Sequence, residues 1–144
     1  MWTFSVYLAS QSPRRRELLA QIGVAHRVLS VDIDEGLRRG ELPADYVQRL
    51  AREKAAVGWQ DVVARGLERA PVIGADTAVV IDGDILGKPA DEAAAIAMLE
   101  RLAGRSHEVM TGVAVHAALE EQVAMSCTRV WFRALDRAEI EAYW

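Results

Sequence analysis

Residues 4–23 read FSVYLASQSPRRRELLAQIG, and the order strand, turn, helix in this stretch sets the fold class. Phe4-Ser5-Val6-Tyr7-Leu8-Ala9 is a short strand. Ser12 is placed as an N-cap, and Pro13 suits the first helical position because its missing N–H costs nothing there. Leu18, Leu19 and Ile22 supply an apolar stripe, and Gly23 ends the helix. The turn between the two elements gathers Ser10, Ser12 and the run Arg14-Arg15-Arg16. Free N–H groups at a helix start, next to guanidinium forks, suit a phosphate.

Outward from this unit the patterns keep alternating, which predicts an α/β or mixed α+β domain. Ala25 to Val31 is extended, and an acidic loop follows, Asp32-Ile33-Asp34-Glu35. Pro43 opens a helix with Tyr46, Val47, Leu50, Ala51 and Lys54 on one face. Gln60 to Arg69 reads as a further helical stretch. Pro71 to Ile81 is a strand, Asp82-Gly83 a tight turn, and Asp84-Ile85-Leu86 the returning hairpin partner. Asp91 to Leu102 is an Ala-rich helix stopped by Gly104. Glu108 to Ala117 and Gln122 to Arg133 form an antiparallel pair, and Asp136-Arg137-Ala138-Glu139 is a capping box. The helix it opens reaches Trp144 after barely two turns, marginal for an isolated helix. The expectation is one domain over residues 1–144, truncated at its C-terminal side.

With 144 residues, 51% of them hydrophobic, the chain is long enough to bury a real core. A formal net charge of −4 argues against a general nucleic-acid binder, though a local basic cluster can still hold a small anion. Cys127 is alone, so no intramolecular disulfide forms and a reducing cytoplasm is the expected setting. Its place in a strand predicts a buried, inert thiol. No apolar run has transmembrane length and no signal-peptide pattern opens the chain, so no membrane partner is expected.

Asp76 interrupts an apolar strand, where a carboxylate is costly unless paired or metal-bound. Two readings stand: a functional acid, or a residue that caps a bulge or bonds a backbone N–H near a strand end. Thr77 is placed to hydrogen-bond the same ligand, or is simply a β-branched strand residue. Lys54, on the apolar stripe of its helix, either snorkels to solvent or faces a ligand. Lys88, in Leu86-Gly87-Lys88-Pro89, is either a loop lysine or one aimed at phosphate. Glu35 ends the acidic loop, and with Asp76 it makes a pair of hard oxygen ligands of the kind Mg²⁺ takes alongside substrate phosphates. His26, His107 and His116 lack metal-ligand spacing and read as structural or surface residues. No Walker A or GxGxxG pattern is present.

Taken in order, these pieces resemble the Maf family of nucleoside triphosphate pyrophosphatases. They are Leu8-Ala9-Ser10-Gln11-Ser12-Pro13-Arg14-Arg15-Arg16-Glu17-Leu18-Leu19, Asp34-Glu35, Leu50-Ala51-Arg52-Glu53-Lys54-Ala55, Gly74-Ala75-Asp76-Thr77, Gly87-Lys88-Pro89 and the run from Leu102 to Gly112. The resemblance implies an elongated mixed sheet flanked by helices around a central cleft, as in ITPase-like folds. It also implies hydrolysis of a nucleoside triphosphate to the monophosphate and pyrophosphate with a divalent cation, Mg²⁺ or Mn²⁺, and a homodimer. On that resemblance Asp76 matches the proton acceptor and Glu35 an acidic site residue. Ser10, Arg15, Lys54 and Lys88 match phosphate-binding positions, and Arg14 and Thr77 positions tied to base selectivity. Arg14 and Thr77 are the residues of the dTTP/UTP-type branch, whereas the 7-methyl-GTP branch tends to carry Trp and Gln there. Family members continue past the position of Trp144 with a segment of the type EPxDKAGxYxIQG. Two rival readings are a pyrophosphatase for non-canonical purine nucleotides and a nucleotide-binding regulator of cell division without turnover.

Overall fold

A computed structural model describes residues 5–144, so the expected strand start at Phe4 lies outside the described residues. In chain order the elements are β1 (Val6–Leu8), α1 (Pro13–Gln21), β2 (His26–Val28), α2 (Pro43–Ala64), β3 (Val72–Ile81), β4 (Asp84–Leu86), α3 (Glu92–Leu102), β5 (Ser106–His116), β6 (Glu121–Trp131) and α4 (Arg137–Tyr143). The mixed α/β class expected from the sequence is the one formed. One six-stranded sheet runs β2-β1-β3-β5-β6, with β4 also paired to β3. β1 is parallel to β2 and β3, and the remaining pairs are antiparallel.

The edges of β3 decide where a site can form. Along one edge β5 pairs without a break from Val72 to Val80, so Asp76 sits opposite Gly112 in a regular ladder. A bulge cap at Asp76 is therefore excluded. Along the other edge β1 pairs only with Val72 and Ile73, and β4 only with Val79 to Ile81. The stretch from Gly74 to Ala78 lies in the gap between them. Chain leaving β1 enters this gap at Ala9, whose N–H donates to Ile73 O at 2.8 Å. Chain leaving β4 runs toward it from the opposite side. Asp82 and Gly83 both adopt positive φ, 52° and 80°, the two-residue turn that an Asp-Gly hairpin requires.

α2 lies across β3 and β5 on one face of the sheet. Two glycines permit the contact: a Cβ on Gly74 would stand 2.2 Å from the Ala51 carbonyl oxygen, and one on Gly112 2.6 Å from that of Val47. The core sits beneath this helix, with Tyr7, Ala9, Leu29, Val62, Ala70 and Val72 in one cluster and Val47, Ala78 and Val80 in another.

Three sequence expectations need correction. The stretches from Pro43 and from Gln60 are one helix of 22 residues that stops at Ala64, short of Arg69. Gly58 does not break it, because it lets α2 approach the sheet: a Cβ there would stand 2.7 Å from Val72 Cγ1. Cys127 is exposed, since β6 lies at the sheet's edge with nearly every residue open. Its thiol donates to Glu108 Oε2 at 2.9 Å, and that bond pushes its pKa up, which disfavours the thiolate. The apolar stripe of α1 forms as expected but buries no residue fully, and Ile22 is 73% exposed. Among the described residues no helix is long and apolar enough to cross a membrane.

Candidate active site

The turn after β1 is built around one hydroxyl. Ser10 Oγ accepts from the Ser12 N–H at 3.2 Å and from Arg15 Nη1 at 3.0 Å. With both bonds accepted, its own proton is left to donate. Ser12 caps α1 as expected, accepting from the Arg15 N–H at 3.3 Å. Arg15 is thereby aimed inward and partly buried. Burial lowers its pKa, while Asp76 and Glu35 favour its charge. Arg14 points the other way: its side chain is 71% exposed and only grazes Glu17 at 4.0 Å. Arg16 is exposed.

Lys54 faces the gap in the sheet from α2. Its Nζ lies 3.2 Å from Asp76 Oδ1 and 3.1 Å from Glu35 Oε1, and it also donates to the Ala75 carbonyl at 3.3 Å. The snorkelling reading of Lys54 is ruled out, since its side chain is only 13% exposed. Gly74 makes this reach possible, for the Cβ it lacks would crowd Lys54 Cβ at 3.1 Å. Burial pushes the Asp76 pKa above the usual carboxylate range; Lys54 opposes that shift and the Glu35 charge adds to it. A carboxylate shifted upward in a cleft of charged groups is more basic than an ordinary one.

Ser10, Arg15, Glu35, Lys54 and Asp76 are thus assembled in one place. Thr77 is not among them. It follows Asp76 by one residue on a strand, so its side chain leaves the opposite face. There its Oγ1 lies 3.0 Å from Thr111 Oγ1 on β5. Lys88 is exposed just beyond β4. The antiparallel register, with Leu86 opposite Val79, carries the following Gly87-Lys88 toward the level of Ala78 and Thr77.

Among the described residues no three His, Cys, Asp or Glu side chains converge as a metal cage. Glu35 and Asp76 do converge on a single cationic position, which the Lys54 ammonium occupies. Two hard carboxylates beside the Ser10–Arg15 turn are the donor type that Mg²⁺ takes together with substrate oxygens, and such a cation would displace Lys54 from between them. His107 packs edge-on against Phe132, and His116 lies beside Trp59, which agrees with the structural reading of the histidines.

Three nearby residues carried no functional expectation from the sequence. Tyr46 donates to the Glu35 carbonyl, Arg49 is a buried guanidinium beside it, and Thr111 pairs with Thr77. Only Arg49 carried a local signal, the spacing of four to Glu53 on one helix.

A protein-family model described as "Maf-like protein" matches residues 5–144. A dTTP/UTP pyrophosphatase of Saccharophagus degradans is 52% identical over 139 residues, 96% of this chain and 66% of the relative. One of Chromobacterium violaceum is 49% identical over 138 residues, 96% of this chain and 70% of the relative. The chain therefore spans about two thirds of the length of these curated relatives. Among solved structures, the Staphylococcus aureus Ham1 protein superposes with a TM-score of 0.54 at 15% identity, covering 87% of this chain and 70% of that one, a likeness of fold alone.

Proposed function

This chain belongs to the Maf family, and from that premise we propose that it is a nucleoside triphosphate pyrophosphatase whose substrates are dTTP and UTP. The observation that carries the reading is Lys54, held between Asp76 and Glu35 at 3.2 and 3.1 Å, beside the Arg15 and Ser10 turn. The names of the relatives supply the substrate class.

In this reading the Asp76 carboxylate orients a water toward the α-phosphorus and takes its proton as the O–P bond forms. The Pα–O–Pβ bridge breaks, leaving the nucleoside monophosphate and pyrophosphate. Negative charge collects on the leaving pyrophosphate, and Arg15, Lys54 and Lys88 are the groups that neutralise it. The Ser10 proton is free to donate to a phosphate oxygen. Bound Mg²⁺ or Mn²⁺, held by Glu35 and Asp76, would supply Lewis-acid charge to the triphosphate. Arg14 and Thr77, which the resemblance ties to base selection, face away from the Asp76 carboxylate and take no part in this step.

Pyrophosphate release from dTTP, UTP, ITP and 7-methyl-GTP tests the proposal. Turnover of the two pyrimidine nucleotides at least ~10-fold above the others is expected, a modest demand on a site that reads base hydrogen bonds. Preference for ITP would overturn it in favour of a purine pyrophosphatase. Binding of dTTP without pyrophosphate release would point to a regulator.

A further inference from the structure

The segment between β2 and α2 brings Glu35 to Lys54, and two side chains of α2 grip its backbone on successive carbonyls. The Tyr46 hydroxyl donates to the Glu35 carbonyl at 2.5 Å. Arg49 Nη2 donates to the Gly36 carbonyl at 2.9 Å. The same guanidinium forks onto Glu41, with Nε at 2.7 Å and Nη2 at 2.9 Å, and its Nη1 reaches Glu53 at 3.3 Å. Asp34 Oδ1 accepts the Gly36 N–H at 2.9 Å, tightening the turn between the grips. Arg49 is 7% exposed, and its guanidinium lies 5.6 Å from the centre of the Tyr46 ring.

Glu35 itself is an exposed side chain, 58% open, on a segment without regular secondary structure. Its carboxylate meets Lys54 at 3.1 Å, and one ion pair on a half-open side chain does not by itself fix the loop. What is rigid is α2, and Lys54 and the two gripping residues all stand on that helix. We propose that Tyr46 and Arg49 are positioning residues that fix Glu35 relative to Asp76 and so set the affinity of the carboxylate pair for a divalent cation. The inference rests on the pyrophosphatase reading for the reaction it serves, but not for the geometry. Loss of a group that orients a metal ligand commonly weakens metal affinity by about 10- to 100-fold.

Tyr46→Phe removes a single hydroxyl and leaves the ring packed on the Val47, Ala78 and Val80 cluster, so the fold should persist. Arg49→Lys keeps the charge and loses the fork. Three quantities are read on the whole chain: Mn²⁺ affinity by electron paramagnetic resonance, amide exchange across residues 33–41, and dTTP turnover. Each variant is expected to weaken Mn²⁺ binding about 10-fold, with faster exchange in the loop. In a Glu35→Gln background Tyr46→Phe is expected to add no further loss, because there is no carboxylate left to position. Unchanged exchange in both variants overturns the proposal, and so does an equal loss with and without Glu35. A wild-type protein that turns over neither dTTP nor UTP refutes the pyrophosphatase reading instead, while loop exchange still decides the clamp.

Discussion

At Asp76 two demands oppose each other. Burial makes the ionised form costly, and its pKa rises for that reason first, with Lys54 only partly offsetting it. A carboxyl whose pKa is raised on folding weakens the fold as pH climbs through that range, because the unfolded chain gives up the proton more readily. Asp76→Asn is therefore expected to leave the melting temperature near neutral pH unchanged or higher. Lys54 keeps Glu35 and the Ala75 carbonyl as partners in that variant. Turnover should fall by about 10²–10⁴-fold, the usual contribution of a positioned base. A melting temperature that drops by many degrees would mean the carboxylate is structural. The acid limb of the wild-type pH–rate profile should also lie above the ordinary aspartate range. This residue was legible because a charge inside an apolar strand stands out against period-two patterning. Arg49 was not, because its main partner, Glu41, lies eight residues away, outside the three- and four-residue spacings at which side chains of one helix face each other.

Elements bring separate residues together here through close approach. β3 and α2 meet where Gly74 leaves the Ala51 carbonyl and the Ala55 N–H no room for a side chain, at 2.2 and 2.7 Å from a built Cβ. Both are backbone atoms that cannot rotate away. Gly74→Ala is expected to push α2 off the sheet and cost about 1–3 kcal/mol, the usual range for overpacking. Lys54 stands on that turn of α2, so kcat should fall as well. Gly87→Ala is the control, since a Cβ there meets nothing within 4 Å, and its melting curve should match the wild type. Thermal unfolding of the two variants compares them directly. The hairpin, the α1 cap and the β5–β6 pair were all readable from turn residues and caps, which act locally. The continuity of α2 through Gly58, and the exposure of Cys127, depend on what packs across the sheet, and no local pattern encodes that.

For the molecule as a whole, α2 is the scaffold: it covers one face of the sheet, carries Lys54, and is tied to the preceding loop by the Arg49–Glu41 pair. Both side chains of that pair are nearly closed to solvent, 9% and 10% exposed. The guanidinium holds the Glu41 pKa down from 4.5 to about 2. A carboxyl depressed on folding adds stability that is complete above its unfolded value and is lost as pH falls through its folded one. Stability should therefore decline between pH 4.5 and about 2 as this group takes up its proton. Asp82 beside Arg105, and Glu139 beside Arg133, are lowered in the same direction, but with side chains 54% and 38% exposed they sit in screening solvent. Salt separates the two kinds of pair. Urea unfolding from pH 5 downward should show an acid-dependent loss that high salt trims only in part, and Glu41→Gln should flatten the part that salt leaves. If high salt alone abolishes the pH dependence, or if Glu41→Gln follows the wild-type curve, the loop is not tied to the scaffold through this pair.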